Sequence, residues 1–200
     1  NVAGTWTQVG NDIDGEAAGD KSGTSVSLSN DGSIVAIGAN NNSSNGVYNG
    51  HVRIYQNVAG TWTQIGDDID GEAAGDESGT SVSLSDDGSI VAIGANKNDG
   101  NGFSSGHVRI YENINGTWTQ IGNDVDGESD DDESGGSVIL SGDGTVVAIG
   151  APYNDGNGSN SGHVVFFDVK SPDETLTGTS GNDTLTGASG NDTLSGLAGN

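Results

Sequence analysis

The sequence predicts an all-β protein built from many short strands joined by tight turns, and three observations support this prediction. Glycine is abundant, with 36 residues, whereas proline occurs only twice and apolar residues make up 30% of the chain. Asn, Asp, Ser and Thr fill much of the remainder, a composition typical of turns between strands and unfavourable for helices. A 56-residue unit also recurs along most of the chain, and each copy contains short apolar segments with turn residues between them.

The 56-residue period divides residues 1–168 into three copies, at 1–56, 57–112 and 113–168. Their opening segments are NVAGTWTQVGNDIDGE, NVAGTWTQIGDDIDGE and NINGTWTQIGNDVDGE. A polar junction at 169–175 follows, and a nine-residue period occupies 176–200. We therefore expect three similar β units in series, a linker, and a separate C-terminal repeat array.

Four segments of the second copy have the pattern of strands. One of them, SVSLS, alternates and places Val82 and Leu84 on one face, whereas SIVAIGA is almost continuously apolar, as expected for a strand covered on both faces. Four antiparallel strands per copy predict the blades of a β-propeller, with an open array of stacked sheets as the alternative. The four segments are 61–66 (TWTQIG), 81–85 (SVSLS), 89–95 (SIVAIGA) and 107–112 (HVRIYE).

An Asp-Gly pair links the second and third of these segments in every copy. We expect Asp87-Gly88 to form a tight hairpin, because both residue types accept the positive φ angles that such turns require. The same pair recurs at Asp31-Gly32 and Asp143-Gly144.

The hairpin segments resemble the FG-GAP repeat of propellers of the integrin α-subunit type and of their bacterial relatives. They read SGTSVSLSNDGSIVAIGAN (22–40), SGTSVSLSDDGSIVAIGAN (78–96) and SGGSVILSGDGTVVAIGAP (134–152). The resemblance implies propeller blades. Two departures matter: the Phe of the motif is replaced by Ser22, Ser78 and Ser134, and the acidic loop that binds calcium in many members is reduced to SNDGS, SDDGS and SGDGT. A calcium ion needs about six to eight oxygen ligands, so we expect plain hairpins there.

Three further features recur once per copy. The acidic segments at 12–16, 68–72 and 124–128 favour an Asp-Gly turn with a buried Ile or Val over a calcium loop. The histidines favour a repeated structural hydrogen bond, since a metal site would require the blades to converge on them. The tryptophans favour packing anchors, with stacking on sugars as the alternative. These histidines and tryptophans are His51, His107, His163, Trp6, Trp62 and Trp118.

The charge of the chain excludes one class of partner. The formal net charge is −24, from 29 acidic and 5 basic residues, so a nucleic acid would be repelled.

The sequence also lacks several other features. There is no cysteine, and no apolar stretch approaches the roughly 18 residues of a membrane span. No set of residues outside the repeats has the pattern of a catalytic site, so we predict that the chain is not an enzyme. The chain starts inside a repeat, which indicates a piece of a longer protein.

The nine-residue period reads GTSGNDTLT (178–186), GASGNDTLS (187–195) and GLAGN (196–200). It resembles the calcium-binding nonapeptide of RTX, or hemolysin-type, proteins, although Thr179, Ala188 and Leu197 replace the second glycine of the consensus. The resemblance implies the start of a parallel β-roll in which one coil takes two nonapeptides. Because the last copy stops one residue short, we expect calcium half-sites that bind weakly. The implied Ca²⁺ residues are Asp183, Asp192, Gly178, Gly181, Gly187, Gly190 and Gly196.

The RTX resemblance also implies a secreted protein of a Gram-negative bacterium, exported by type I secretion and folded by extracellular calcium. The expected function is a non-enzymatic extracellular repeat module of an adhesin, cell-surface or matrix protein, with a glycan or a cell-surface protein as partner. One alternative is a structural subunit that self-assembles through open sheet edges into a filament or sheath. Another is the carrier region of a secreted RTX enzyme whose catalytic domain lies elsewhere.

Overall fold

A computed structural model describes residues 4–169 and the backbone of two further strands, Thr175–Thr177 and Thr193–Ser195. These parts of the chain consist of strands, turns and irregular segments, with no helix among them. The all-β prediction is therefore confirmed. Accordingly, no helix in the described residues is long and apolar enough to span a membrane.

The strands between residues 4 and 169 recur with the 56-residue period. They are β1 Ser25–Leu28, β2 Ile34–Ala39, β3 His51–Val58, β4 Thr61–Gln64, β5 Ile69–Asp70, β6 Ser81–Leu84, β7 Ile90–Ala95, β8 His107–Ile114, β9 Thr117–Gln120, β10 Val125–Asp126, β11 Ser137–Leu140, β12 Val146–Ala151 and β13 His163–Asp168. Two more, β14 Thr175–Thr177 and β15 Thr193–Ser195, lie in the nonapeptide region.

Residues 4–169 form three antiparallel sheets. The first has the order β1-β2-β3-β4, with β5 also pairing β3, and the second repeats it as β6-β7-β8-β9, with β10 pairing β8. The third is β11-β12-β13. All four strands predicted in the second copy are present, but β4 and β9 pair with the last strand of the preceding copy. Each of the first two sheets therefore crosses the boundary between sequence copies.

The acidic segment after β4 differs from its prediction. Its Ile69 is buried, as expected, but Ile69 and Asp70 form the short strand β5, which pairs with Val52 and His51. Gly71 does not adopt a positive φ. An Asp-Gly turn was therefore the wrong interpretation, because the segment is extended and hydrogen-bonded to β3.

The inner strand β7 is covered on both faces, as its sequence predicts. Val91 and Ile93 belong to the apolar cluster that joins the first sheet to the second. Ile90 and Ala92, on the opposite face of β7, belong to the cluster that joins the second sheet to the third. The middle sheet is therefore packed between two like sheets, and each fully buried Ile side chain contributes about 1.5–3 kcal/mol.

A glycine in one sheet meets the backbone that leads into the next sheet. A Cβ atom at Gly94 would overlap the carbonyl oxygen of Gly135, and a Cβ at Gly38 would overlap that of Gly79. Beside the first contact, the Ser81 hydroxyl donates a 2.7 Å hydrogen bond to the Gly135 carbonyl. Glycine is required at these strand positions because any side chain would push the sheets apart.

The hairpin between β6 and β7 uses its aspartate differently from the prediction. Gly88 has a φ of +70°, but Asp87 does not adopt a positive φ. Instead, its Oδ1 accepts hydrogen bonds from the Ser85 hydroxyl at 2.7 Å and from the Ser89 backbone N–H at 2.9 Å. Partial burial raises the pKa of Asp87, but these hydrogen bonds outweigh it and hold that pKa below 3.8. The aspartate is therefore a hydrogen-bond acceptor that closes the turn.

We expect Asp87→Ala to lower the free energy of unfolding by about 1 kcal/mol, since the charge-assisted bonds are partly screened by solvent. The folded-state pKa lies below 3.8, so this contribution is complete above that pH and is lost as the pH falls through the folded-state pKa. Urea unfolding at pH 7 and pH 3 measures both effects. Asp86→Ala, at the adjacent position, is the control, and an equal loss in both variants contradicts the assignment.

Candidate functional site

A buried histidine of the first sheet lies between two acidic segments. His51 begins β3, pairs in register with Asp70 and is 1% exposed. Its Nδ1 lies 3.9 Å from Glu16 Oε2 and 3.6 Å from Asp68 Oδ2. Within the described part of the chain, this Nδ1 atom has no hydrogen-bond partner. The acidic segments of two successive copies thus converge on one imidazole.

The same arrangement recurs one copy later, where the first sheet meets the second. His107 Nδ1 lies 3.5 Å from Asp124 Oδ2, and Glu72 completes the group. In both clusters the three candidate ligand atoms lie within 4.8 Å of one another. Burial lowers the pKa of His107, and the neighbouring Arg109 lowers it further against the opposing effect of nearby carboxylates. The imidazole is therefore predominantly neutral near pH 7 and can offer a lone pair.

An arginine fixes the glutamate of each cluster. Arg53 donates a 2.7 Å hydrogen bond to the Asp14 carbonyl and lies 5.6 Å from the centre of the Tyr55 ring. Its Nη1 is 3.8 Å from Glu16 Oε1, which leaves Glu16 Oε2 facing His51. Arg109 makes the same kind of contact, since its Nη1 lies 3.6 Å from Glu72 Oε1. One carboxylate oxygen thus faces the arginine and the other faces the histidine.

These clusters revise the sequence interpretation of the histidines. The histidines do not converge on one another, but His51 meets acidic residues, and its Nδ1 does not make the predicted structural hydrogen bond with any described residue. His163 belongs to neither of the metal-ligand clusters found among the described residues. No local motif links the acidic residues to the histidines, because they are not neighbours in the sequence. The available signal was their common 56-residue period.

Two of the tryptophans are packing anchors, as predicted. Trp62 Nε1 donates to the Val9 carbonyl at 3.0 Å, and Trp118 Nε1 donates to the Ile65 carbonyl at 2.9 Å. Trp6, in contrast, is 87% exposed. Beside each anchored tryptophan runs an acidic groove. One is lined by Trp118, Tyr111, Asp68 and Asp70, and the equivalent groove by Trp62, Tyr55, Asp12 and Asp14.

The predicted calcium residues of the nonapeptide region lie outside the described residues. The flanking strands β14 and β15 pair in parallel, with Leu176 opposite Leu194. Their offset of 18 residues equals two nonapeptides, which is the coil length that the RTX resemblance implies. The predicted start of a parallel β-roll is therefore confirmed at the level of strand pairing. The residues concerned are Asp183, Asp192, Gly178, Gly181, Gly187, Gly190 and Gly196.

Comparison with protein-family models finds two matches. The FG-GAP repeat model matches residues 69–111, the span from β5 to the middle of β8. The model of the RTX calcium-binding nonapeptide repeat (4 copies) matches residues 173–200. The chain carries FG-GAP and RTX repeats, in that order. The RTX repeats are calcium-binding, and repeats of both kinds are typically non-catalytic and typical of secreted or extracellular proteins.

Comparison with individual proteins adds little to this assignment. No curated protein matches the chain. Among solved structures, the chain is similar to Kuenenia stuttgartiensis Hydrazine Synthase, with 15% sequence identity and a TM-score of 0.42. That match covers 72% of this chain and 45% of the other, so the chain spans less than half the length of that relative.

Proposed function

We propose that this chain is a non-enzymatic extracellular repeat module of an adhesin, cell-surface or matrix protein. FG-GAP repeats followed by RTX repeats are the observation that carries the proposal. The RTX part would fold with Ca²⁺ after export by type I secretion from a Gram-negative cell. The FG-GAP sheets would supply a rigid surface for recognition.

The contacts between sheets support a rigid unit. The backbone N–H of Leu140 donates to the Ser83 hydroxyl at 2.9 Å, 57 residues away. The equivalent backbone N–H of Leu84 donates to the Ser27 hydroxyl at 3.0 Å, which ties the second sheet to the first. Buried, satisfied polar contacts of this kind fix one relative arrangement of neighbouring sheets.

We propose that the grooves beside Trp62 and Trp118 are the surfaces that bind the partner. Each combines two aromatic residues with two or three aspartates. Aromatic faces stack on sugar rings, and carboxylates accept hydrogen bonds from sugar hydroxyls, so a glycan is the partner that this chemistry fits. A glycan array probed with the chain tests this proposal. Binding of no glycan by a folded chain argues for a protein partner instead.

Calcium binding is expected to depend on the nonapeptide aspartates. In the double variant Asp183→Asn/Asp192→Asn, we expect the calcium-induced change in circular dichroism to be lost, because each substitution removes an anionic oxygen ligand. The melting temperature of the FG-GAP sheets should stay unchanged.

The control double variant, Asp67→Asn/Asp131→Asn, removes the same charge from the FG-GAP surface and should retain the calcium response. Calorimetric titration with Ca²⁺ measures both variants. An equal loss in the control would mean that calcium binds through diffuse surface charge, and would contradict the RTX assignment.

One observation favours self-assembly as a second candidate function. Val26 and Leu28 on β1 are 64% and 59% exposed, whereas the equivalent Val82 and Leu84 are buried against the first sheet. At the other end, Phe166 is 69% exposed on β13. Residues 4–169 thus carry an apolar sheet face at each end, which further repeats or another copy of the chain would cover. Light scattering distinguishes these cases, since a concentration-independent monomer argues against assembly.

A further inference from the structure

The two histidine clusters have the ligand types and spacing of a zinc site. Zn²⁺ binds imidazole nitrogen and carboxylate oxygen at about 2.0–2.2 Å, so tetrahedral ligand atoms lie about 3.3 Å apart. The Nδ1 to oxygen distances are 3.6 and 3.9 Å around His51 and 3.5 Å at His107. Small shifts would bring these nitrogen and oxygen atoms to that spacing, and the remaining ligand atoms, which lie within 4.8 Å of one another, would be brought in by rotation of the half-exposed glutamate.

The buried, unpartnered nitrogen is a second and independent observation. A buried polar atom without a partner is unfavourable, and proteins rarely leave one. His51 Nδ1 is such an atom among the described residues, and so is Asp70 Oδ1 on the strand paired with His51. A metal ion bound to Nδ1 would supply the missing partner without changing the fold.

The charges of the cluster also favour a dication. The carboxylates of Glu16, Asp68 and Asp70 lie near His51, and Arg53 approaches only the outer oxygen of Glu16. The mixed nitrogen and oxygen set suits zinc and its neighbours in the transition series. It does not suit calcium, which takes six to eight oxygens.

We propose that each of the two clusters binds one Zn²⁺-class ion, through Glu16, His51 and Asp68 in the first cluster and through the equivalent residues in the second. The first ion would tie the acidic segment before β1 to the first sheet, and the second ion would tie the segment after β5 in the first sheet to the second sheet. The arginine would hold the glutamate in its orientation, as groups behind metal ligands do. The equivalent residues are Glu72, His107 and Asp124.

Zinc titration of the metal-free full chain, in excess Ca²⁺, tests the proposal. We expect about two zinc ions per chain by calorimetry, one for each of the two clusters. His51→Gln and His107→Gln should each remove one ion, and the double variant should remove both. His163→Gln is the matched control and should retain both, because His163 belongs to neither cluster. Co²⁺ should give the visible spectrum of a tetrahedral nitrogen and oxygen site.

A second double variant distinguishes loss of the zinc site from misfolding. Glu16 and Glu72 are about half exposed, so Glu16→Gln/Glu72→Gln should fold normally and bind zinc at least tenfold more weakly. Unchanged zinc binding in the His51→Gln/His107→Gln variant, or no stoichiometric zinc in the parent chain, overturns the proposal. Neither result bears on the calcium response, which is measured separately through Asp183 and Asp192.

Discussion

Replacing Gly94 with alanine is expected to separate the second and third sheets and to cost at least about 3 kcal/mol, the upper range for overpacking a well-packed contact. Gly94 is not in the left-handed region, so alanine is allowed by the backbone and the effect is purely steric. The new Cβ would overlap the Gly135 carbonyl oxygen. That oxygen belongs to backbone held by neighbouring hydrogen bonds, and it also accepts the bond from Ser81.

The third sheet provides a matched control for this substitution. Gly150 occupies the same position on β12, but a Cβ there would overlap only the Ser137 hydroxyl, the counterpart of Ser81. A hydroxyl can rotate away, so Gly150→Ala should be much milder. Thermal unfolding followed by circular dichroism compares the two. If both variants lose the same stability, the contact with Gly135 is not the cause.

The second large effect is expected in the core between the first and second sheets. Ile93 is 1% exposed and packs in the cluster that contains Val52 and Ile54 of the first sheet. Ile93→Ala should lower the free energy of unfolding by about 2–5 kcal/mol, because the tightly held sheets cannot close the cavity. Urea unfolding at neutral pH measures the change.

The exposed Ile139 is the control for this truncation. It lies on β11 and is 64% exposed, so Ile139→Ala should change stability by no more than about 0.5 kcal/mol. A large loss at Ile139 would show that its face is covered in solution. A small loss at Ile93 would contradict the packing of the middle sheet between its neighbours.

Most of the strands could be predicted because their signals are local. The alternation of SVSLS, the apolar run of SIVAIGA and the Asp-Gly pair between them fix two strands and their hairpin, and β6 and β7 match this prediction. The pairing partner of a strand could not be predicted from such local signals. TWTQ pairs with the preceding copy, and nothing in these four residues encodes that choice, since it depends on the path of the chain.

The metal-ligand clusters could not be predicted from local pattern for the same reason. Glu16, His51 and Asp68 come from two copies; the pairing of β5 with β3 brings Asp68 to His51, whereas Glu16 reaches them from the segment before β1. Sequence pattern favoured a turn at this acidic segment, and a turn would have directed its side chains elsewhere. The nonapeptide prediction succeeded at the level of strand pairing because its period alone sets the distance between β14 and β15.

The strand exchange between copies bears on how this protein can change in length. The fourth strand of each of the first two sheets comes from the next copy. Removal of residues 57–112 would therefore leave β3 with Thr117–Gln120 in place of Thr61–Gln64, with the same TWTQ sequence. Gain of a whole copy preserves pairing equally well. In-register loss or gain of a whole copy therefore keeps the strand pairing at the join, and a change in the number of units should carry no folding penalty there.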